Sequence, residues 1–461
     1  MITSLLDSNK NFYWTIIHVL IALGCSFYPN ILIIWFYIFI FSSLNKIISI
    51  FLFNNSTNYL FPFIFYVSSF EVLGRMMRLS PYLPWELSKY LFISASILLI
   101  AINKIKIKIN LGFLLLLLLI PSLIVQKSQL VNLSDITSYL FGPISMVLLV
   151  IVLSDYKINK LLFDGILRLI WLTSTVMLIY VFIKTPDYSE LTFSLSADFE
   201  TTGGFGSNQV STILGIGMFL SFYAWMNKLF FSGYHKLDGV FIGLFAYQGF
   251  LTFSRGGMIV SIMAILLYYL FFRTSISNVE IKLIKSLNPF YYFLIAITIL
   301  IAAFGIIQII SSGNIVLRYL GETEGTLTGE KIKTINTVTT GRFNIFLADL
   351  NLWYEHFIFG VGAGGSKYLR GNNLSGIAPH IEISRILAEH GLFGLIFIVT
   401  LIALGIKIYK SNSGDVHRAI LLSLFLIGIG STMHSSLRTF VTPVFISLST
   451  VSILKDENWK A

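Results

Sequence analysis

The stretch FYYFLIAITILIAAFGIIQII, Phe290 to Ile310, carries no charged side chain from end to end. A helix rises 1.5 Å per residue, so ~20 residues cross the ~30 Å hydrocarbon layer of a bilayer. The stretch therefore reads as a transmembrane helix. The same pattern repeats outward along the chain. Comparable blocks occupy Phe12–Tyr28, Ile31–Phe41 with its continuation, Tyr59–Leu73, Leu87–Asn103, Leu111–Val125, Ile136–Leu153 and Ile166–Ile183. Further blocks are Val210–Met226, Val240–Phe253, Met258–Phe272, Ile386–Ile406, Ala419–Met433 and Phe440–Leu454. The expected fold is all-α, a polytopic transmembrane helix bundle of about 12–14 spans. Lys46 interrupts the block between Ile31 and Asn58 and leaves the count there open.

Composition excludes the soluble classes. Of 461 residues 56% are apolar and 12% charged, with a mean hydropathy of +0.81, against roughly 25% charged in a soluble domain. Cys25 is the single cysteine, which rules out an intramolecular disulfide and a thiolate metal site. No small-residue cleavage pattern follows the block Phe12 to Pro29, so it reads as a retained first span.

Basic residues collect in short cytoplasmic loops. Lys104, Lys106 and Lys108 share one connector, Lys157 and Lys160 another, and Lys228 and Lys236 a third. Arg273, Lys282 and Lys285 form a fourth, and Lys407, Lys410 and Arg418 a fifth. Their alternation puts both termini in the cytoplasm. Topology and anionic lipid then account for the net charge of +10, and no continuous basic surface argues for nucleic acid. On the opposite side, residues 311–380 form a connector far longer than usual. It reads as a folded external loop inside a single integral membrane domain spanning residues 1–461. Trp353, Tyr354 and Phe357 suggest one or two amphipathic helices at the interface. No internal repeat of the transporter kind is present.

Isolated arginines recur on that external side: Arg75, Arg78, Arg255, Arg318, Arg342, Arg370, Arg385 and Arg438. A guanidinium fork matches phosphate, and a departing diphosphate needs several cations. Headgroup snorkelling is the competing explanation for any one of them. Arg255 is the sharpest case, because Ser254-Arg255-Gly256-Gly257 joins two apolar helices with almost no loop. A charge at that depth costs ~2.5–3.5 kcal/mol on insertion scales, and a helix-packing turn would not need it. Further on, Pro379-His380 precedes Glu382, Arg385 and Glu389, which lie three and four residues apart on one helix face. The glutamates either neutralise Arg385 or leave it for substrate. His380 lies beyond that face and suits proton exchange with an attacking hydroxyl. Gly360-Val361-Gly362-Ala363-Gly364-Gly365 lacks the ending of a nucleotide loop and reads as a tight turn. Glu322 and Glu324 have no third ligand nearby in sequence, so no metal site is expected.

Thr252-Phe253-Ser254-Arg255-Gly256-Gly257, Gly341-Arg342 with Trp353 and the glycine turn, and Pro379-His380 through Glu389-His390-Gly391-Leu392-Phe393-Gly394 together resemble the O-antigen ligase and O-antigen polymerase superfamily. Gly206-Ser207-Asn208-Gln209 is similar to a Gly-x-Asn patch of that group, whereas residues before about Ser80 match in hydropathy alone. The resemblance implies a GT-C-like membrane glycosyltransferase of the bacterial inner membrane. It would take a saccharide from undecaprenyl diphosphate on the periplasmic face, without nucleotide, metal or other cofactor. Carried onto this chain, Arg255 and Arg342 would hold the diphosphate and His380 would orient or deprotonate the acceptor hydroxyl. Arg385, Glu382, Arg75, Arg78 and Asn208 would contact substrate. Ile381 follows the histidine where ligases commonly carry asparagine, which favours a repeat-unit polymerase for O-antigen, capsule or exopolysaccharide over ligation to lipid A-core. Expected partners are the lipid-linked oligosaccharide, a glycan or lipid A-core acceptor, membrane lipids and a chain-length regulator. A lipid-linked oligosaccharide flippase is the alternative from another class, and it would place charges at mid-depth in several helices.

Overall fold

The computed structural model describes residues 1–52, 57–101, 110–154, 156–187, 191, 193–197, 199–277, 289–371, 374–377, 381–411 and 417–454. Lys104, Lys106, Lys108, Lys282 and Lys285 of the orientation argument, and Pro379 and His380, lie outside the described residues. Among the described residues seven helices are long and apolar enough to cross a bilayer: Asn30–Ile50, Leu133–Leu153, Lys160–Lys184, Ser207–Asn227, Arg255–Arg273, Pro289–Ile310 and Glu382–Ser411. Leu87–Ala101, Leu111–Ile124 and His417–Thr432 are shorter apolar helices. The protein is an all-α, multi-pass membrane protein. Strand among the described residues is one parallel pair, Lys157–Asn159 beside Ser452–Leu454, with Ile158 opposite Ile453.

Local chemistry explains where helices depart from the apolar blocks. The helix Asn30–Leu52 passes straight through Lys46, which is exposed and so need not bury its charge. The block Tyr59–Leu73 divides into Leu60–Ser69 and Glu71–Met76, because the Ser68 and Ser69 hydroxyls bond back to the Phe65 and Tyr66 carbonyls (3.0 and 2.7 Å). Pro121 lacks an N–H, and the Leu111–Leu119 helix restarts there as Pro121–Ile124. The final block is a helix, Val441–Leu448, followed by the strand Ser452–Leu454. Hydroxyls of Ser447, Ser449 and Thr450 take up carbonyls of its last turns at 2.6–3.0 Å. Apolar content alone does not distinguish a span from such a broken segment.

The chain packs as two compact units. The first comprises Met1–Leu91, Lys157–Tyr319 and Ser452–Ala461. Its inner helices are Lys160–Lys184 and Ser207–Asn227, 83% and 94% of whose spanning windows are buried, against 22% for Asn30–Ile50 and Pro289–Ile310. The outer pair thus offers apolar side chains to lipid. Gly217 admits the Phe245 ring so closely that a Cβ would stand 2.2 Å from it, and the indole of buried Trp171 donates to Ser221 at 2.8 Å. Arg168, inside the Lys160–Lys184 helix, donates to the carbonyls of Leu5, Asn11 and Phe231 at 2.8–3.0 Å. A buried guanidinium needs such partners, and these pin the short helix Ile2–Leu5 into the bundle.

The second unit comprises Phe92–Tyr156 and Leu320–Val451. It holds the helices Leu133–Leu153, Arg342–Glu355, Glu382–Ser411, His417–Thr432 and Val441–Leu448. The helix Glu382–Ser411 is broken at Gly391, where φ is 63° and ψ −131°. The glycine turn fills the break. Val361 and Gly362 donate N–H groups to the carbonyls of Ala388 and Glu389 (2.9 and 3.1 Å), and Leu392 donates to Ile358 (3.1 Å). Gly362 has φ 87°, and a Cβ there would lie 1.9 Å from the Val125 carbonyl oxygen. The glycines are therefore required by backbone packing, and the polar backbone groups freed at the break find protein partners.

Candidate functional site

In the first unit, the sequence Gly206-Ser207-Asn208-Gln209 opens the helix Ser207–Asn227, and Arg255 opens the helix Arg255–Ser277. The two starts are tied together. The Ser254 hydroxyl donates to the Asn208 side-chain oxygen at 2.9 Å and accepts from the Ser211 hydroxyl at 2.9 Å. Two positive helix ends with first-turn N–H groups thus converge, an arrangement that favours anions. The chain reaches this point through a strained turn: the Thr252 hydroxyl accepts the Ser254 N–H (3.2 Å), and Phe253 has φ 55°. That conformation costs an L-residue roughly 1–2 kcal/mol. Burial of Phe253 and its stacking on Phe193, 5.5 Å between centroids, offset it.

Arg255 is half-buried and donates from Nη1 to the Arg318 carbonyl at 3.1 Å, while Arg318 Nε donates to the Phe253 carbonyl at 3.4 Å. Each arginine thus holds backbone at or beside the other's position, across 63 positions of sequence. Tyr319 follows directly. Its ring stands edge-on to Phe250 and Phe304 (6.2 and 5.4 Å), and its buried hydroxyl has no hydrogen-bond partner among the described residues. An orphaned polar group of this kind costs about 1–3 kcal/mol. Gly257 has a packing role, since a Cβ would meet the Ser211 carbonyl and the Thr212 nitrogen at 2.5 Å. Gly257→Ala is expected to push the two helices apart and lower stability by roughly 1–3 kcal/mol, read as a fall in melting temperature of the purified protein. An unchanged melting temperature would show that the contact yields without cost.

Arg75 stands at the same helix start. It is buried, pairs with Glu71, and donates to the Trp85 carbonyl at 2.6 Å and to Gln209 Oε1 at 3.5 Å. Glu71 also accepts from Ser88, and Glu86 pairs with Lys89. Arg75 therefore joins a neutralised network, signalled in sequence by the spacing of Glu71 and Arg75. Arg78 is exposed, with φ 56°, where the helix Glu71–Met76 ends.

The second unit groups its ions differently. Arg385 is fully buried between Glu382 and Glu389 and lies 5.3 Å from the Tyr139 ring centroid. Glu389 additionally accepts from the Ser366 hydroxyl at 2.8 Å. Of the two roles that the spacing allowed, neutralisation by the glutamates is the one the geometry displays. Arg370 pairs with Asp349 at 2.7 Å and donates to the Ile377 carbonyl at 2.8 Å, and Ser384 completes the carboxylate at 2.7 Å. Asp349 carries no motif and is legible only in space. Arg342 begins the helix Arg342–Glu355 after Gly341, whose φ is 84°. It is half-buried and lies within electrostatic range of His434. Burial, reinforced by the Arg342 charge, holds the His434 imidazole down at about 4, and its Nδ1 lies 3.0 Å from the Gly430 carbonyl. Glu322 pairs with Lys333 (2.5 Å) and accepts from Thr326 (2.7 Å), which keeps its carboxyl below the usual range. Among the described residues no three His, Cys, Asp or Glu side chains gather as a metal-binding group.

Residues 240–399 match the family described as O-antigen ligase. The match supports an O-antigen ligase/polymerase-type family for this region. No curated protein matches the chain. The matched region contains Arg255, Arg318, Tyr319, Arg342, Glu382 and Arg385, and begins after Arg75, Arg78 and Asn208. The family region thus contributes Arg255, and the sequence before it supplies Asn208, to which Ser254 is bonded.

Proposed function

We propose that the protein transfers a glycan from undecaprenyl diphosphate to an acceptor sugar hydroxyl on the periplasmic face of the bacterial inner membrane, as a repeat-unit polymerase. The observation that carries this reading is Arg255 at the head of an apolar helix, tied through Ser254 to Asn208 at the head of another and set against Arg318. A sugar already joined to diphosphate supplies the driving force, so the enzyme has to stabilise negative charge on the leaving group and place the nucleophile. Arg255 is assigned the leaving diphosphate, with Arg342 as a second cation and Asn208 as a polar contact. His380 is assigned the acceptor hydroxyl, as hydrogen-bond acceptor or general base. Arg385, with Glu382, acts by holding the second unit's broken helix, and Arg75 and Arg78 border the donor. Both termini are cytoplasmic in this reading.

Ligation to lipid A-core is the second reading, favoured by the name of the matched family. Purified protein supplied with undecaprenyl diphosphate-linked repeat units, in EDTA, is expected to yield a ladder of longer lipid-linked chains. A single product on added lipid A-core, with no ladder, would replace the polymerase by the ligase. Failure to lengthen any chain on either acceptor would sink both.

A further inference from the structure

We propose that Tyr319 is a phosphate-binding residue, its phenol donating a hydrogen bond to a donor phosphate oxygen held by Arg255 and Arg318. The proposal rests on the diphosphate reading above and names a residue that charge patterning does not reveal. Three observations converge on it. The Tyr319 hydroxyl is enclosed without a partner among the described residues, although its ring is locked by Phe250 and Phe304. Buried hydroxyls are otherwise nearly always hydrogen-bonded, so an orphan of this kind calls for a specific reason. The Arg255 guanidinium binds the carbonyl of the preceding residue, Arg318, at 3.1 Å. The third is that Arg318 Nε donates to the Phe253 carbonyl at 3.4 Å, which sets its guanidinium beside the turn that carries Arg255.

The chemistry also selects an anion. Burial raises the phenol well above its ordinary range, so it stays protonated and can donate. Two cations and one neutral donor suit a phosphate, whereas a neutral sugar would gain nothing from the cations. A phosphate oxygen binds a guanidinium more strongly than a backbone carbonyl does. It therefore draws Arg255 from the Arg318 carbonyl toward itself and comes within reach of the adjacent phenol. As the glycosidic bond breaks and charge grows on the departing diphosphate, a donor already fixed by ring packing needs no reorganisation.

Tyr319→Phe removes the hydroxyl and keeps the ring. Undecaprenyl diphosphate is the probe, added to the full chain in nanodiscs, with binding measured by competition and by the rise in melting temperature it produces. The variant is expected to bind about tenfold more weakly, ~1.4 kcal/mol, with a correspondingly smaller ligand-induced rise. Because the rise is taken relative to each protein without ligand, it reads binding even where the variant alone melts lower. Wild-type affinity in Tyr319→Phe together with loss of binding in Arg255→Ala would overturn the role of the hydroxyl while the diphosphate reading stands. Wild-type affinity in both variants would overturn the diphosphate reading itself.

Discussion

Arg255→Ala is expected to lower glycan transfer by at least ~100-fold while the protein still purifies as a folded species with near wild-type melting temperature. Loss of one preorganised donor to a developing oxyanion costs 10²–10³ in rate in well-studied enzymes, roughly 2.7–4 kcal/mol of transition-state stabilisation. Arg255 has the setting for such an effect. It begins the helix Arg255–Ser277, and Ser254 before it is fixed by hydroxyl bonds to Asn208 and Ser211. Truncation leaves the Arg318 carbonyl without that donor, but a carbonyl is neutral and the guanidinium is half-exposed. Arg255→Lys keeps the charge and loses the fork, so it is expected to recover only part of the activity. His380→Ala is the matching test on the acceptor side, with the same expected loss of product. Unfolding of Arg255→Ala would instead make Arg255 a packing element of its turn.

Arg385→Ala is expected to fail in the opposite way, by destabilising the protein about 3–5 kcal/mol, because it leaves Glu382 and Glu389 buried without their common cation. The loss spreads, since Glu389 also receives Ser366, and its carbonyl accepts the Gly362 N–H that seals the broken helix. The triple change Glu382→Gln, Arg385→Met, Glu389→Gln removes all three charges together. It is expected to melt close to wild type, since replacing a buried ion group with neutral residues is often without penalty. A stable but inactive Arg385→Ala would contradict the structural role and return Arg385 to the substrate.

The all-α membrane fold was legible because apolar blocks of bilayer length have few other uses. Its interruptions were less so: Ser68, Ser69, Ser447 and Thr450 look harmless in a hydropathy profile, yet their hydroxyls return to helix carbonyls where apolar blocks break or end. At the candidate site, Arg255 stood out because a charge between two apolar helices is expensive. Asn208 entered by resemblance, and its bond to Ser254 crosses 46 positions. The meeting of Arg255 with Arg318 and Tyr319 depends on tertiary folding across 63 positions and has no local signature. The same holds for Arg168, whose three carbonyl partners come from separate segments. Spacing did suffice for Glu382, Arg385 and Glu389, because a helix places residues three and four apart side by side.

The central claim is that sugar transfer proceeds with departure of the lipid diphosphate. Its most direct measurement uses reconstituted protein and undecaprenyl diphosphate-linked repeat units labelled in both lipid and sugar, counting free undecaprenyl diphosphate against new glycosidic bonds. One diphosphate released for each bond formed, with release lost in Arg255→Ala, is the expected result. Passage of the labelled lipid across the bilayer with no bond formed and no diphosphate released would contradict the account and make the protein a transporter.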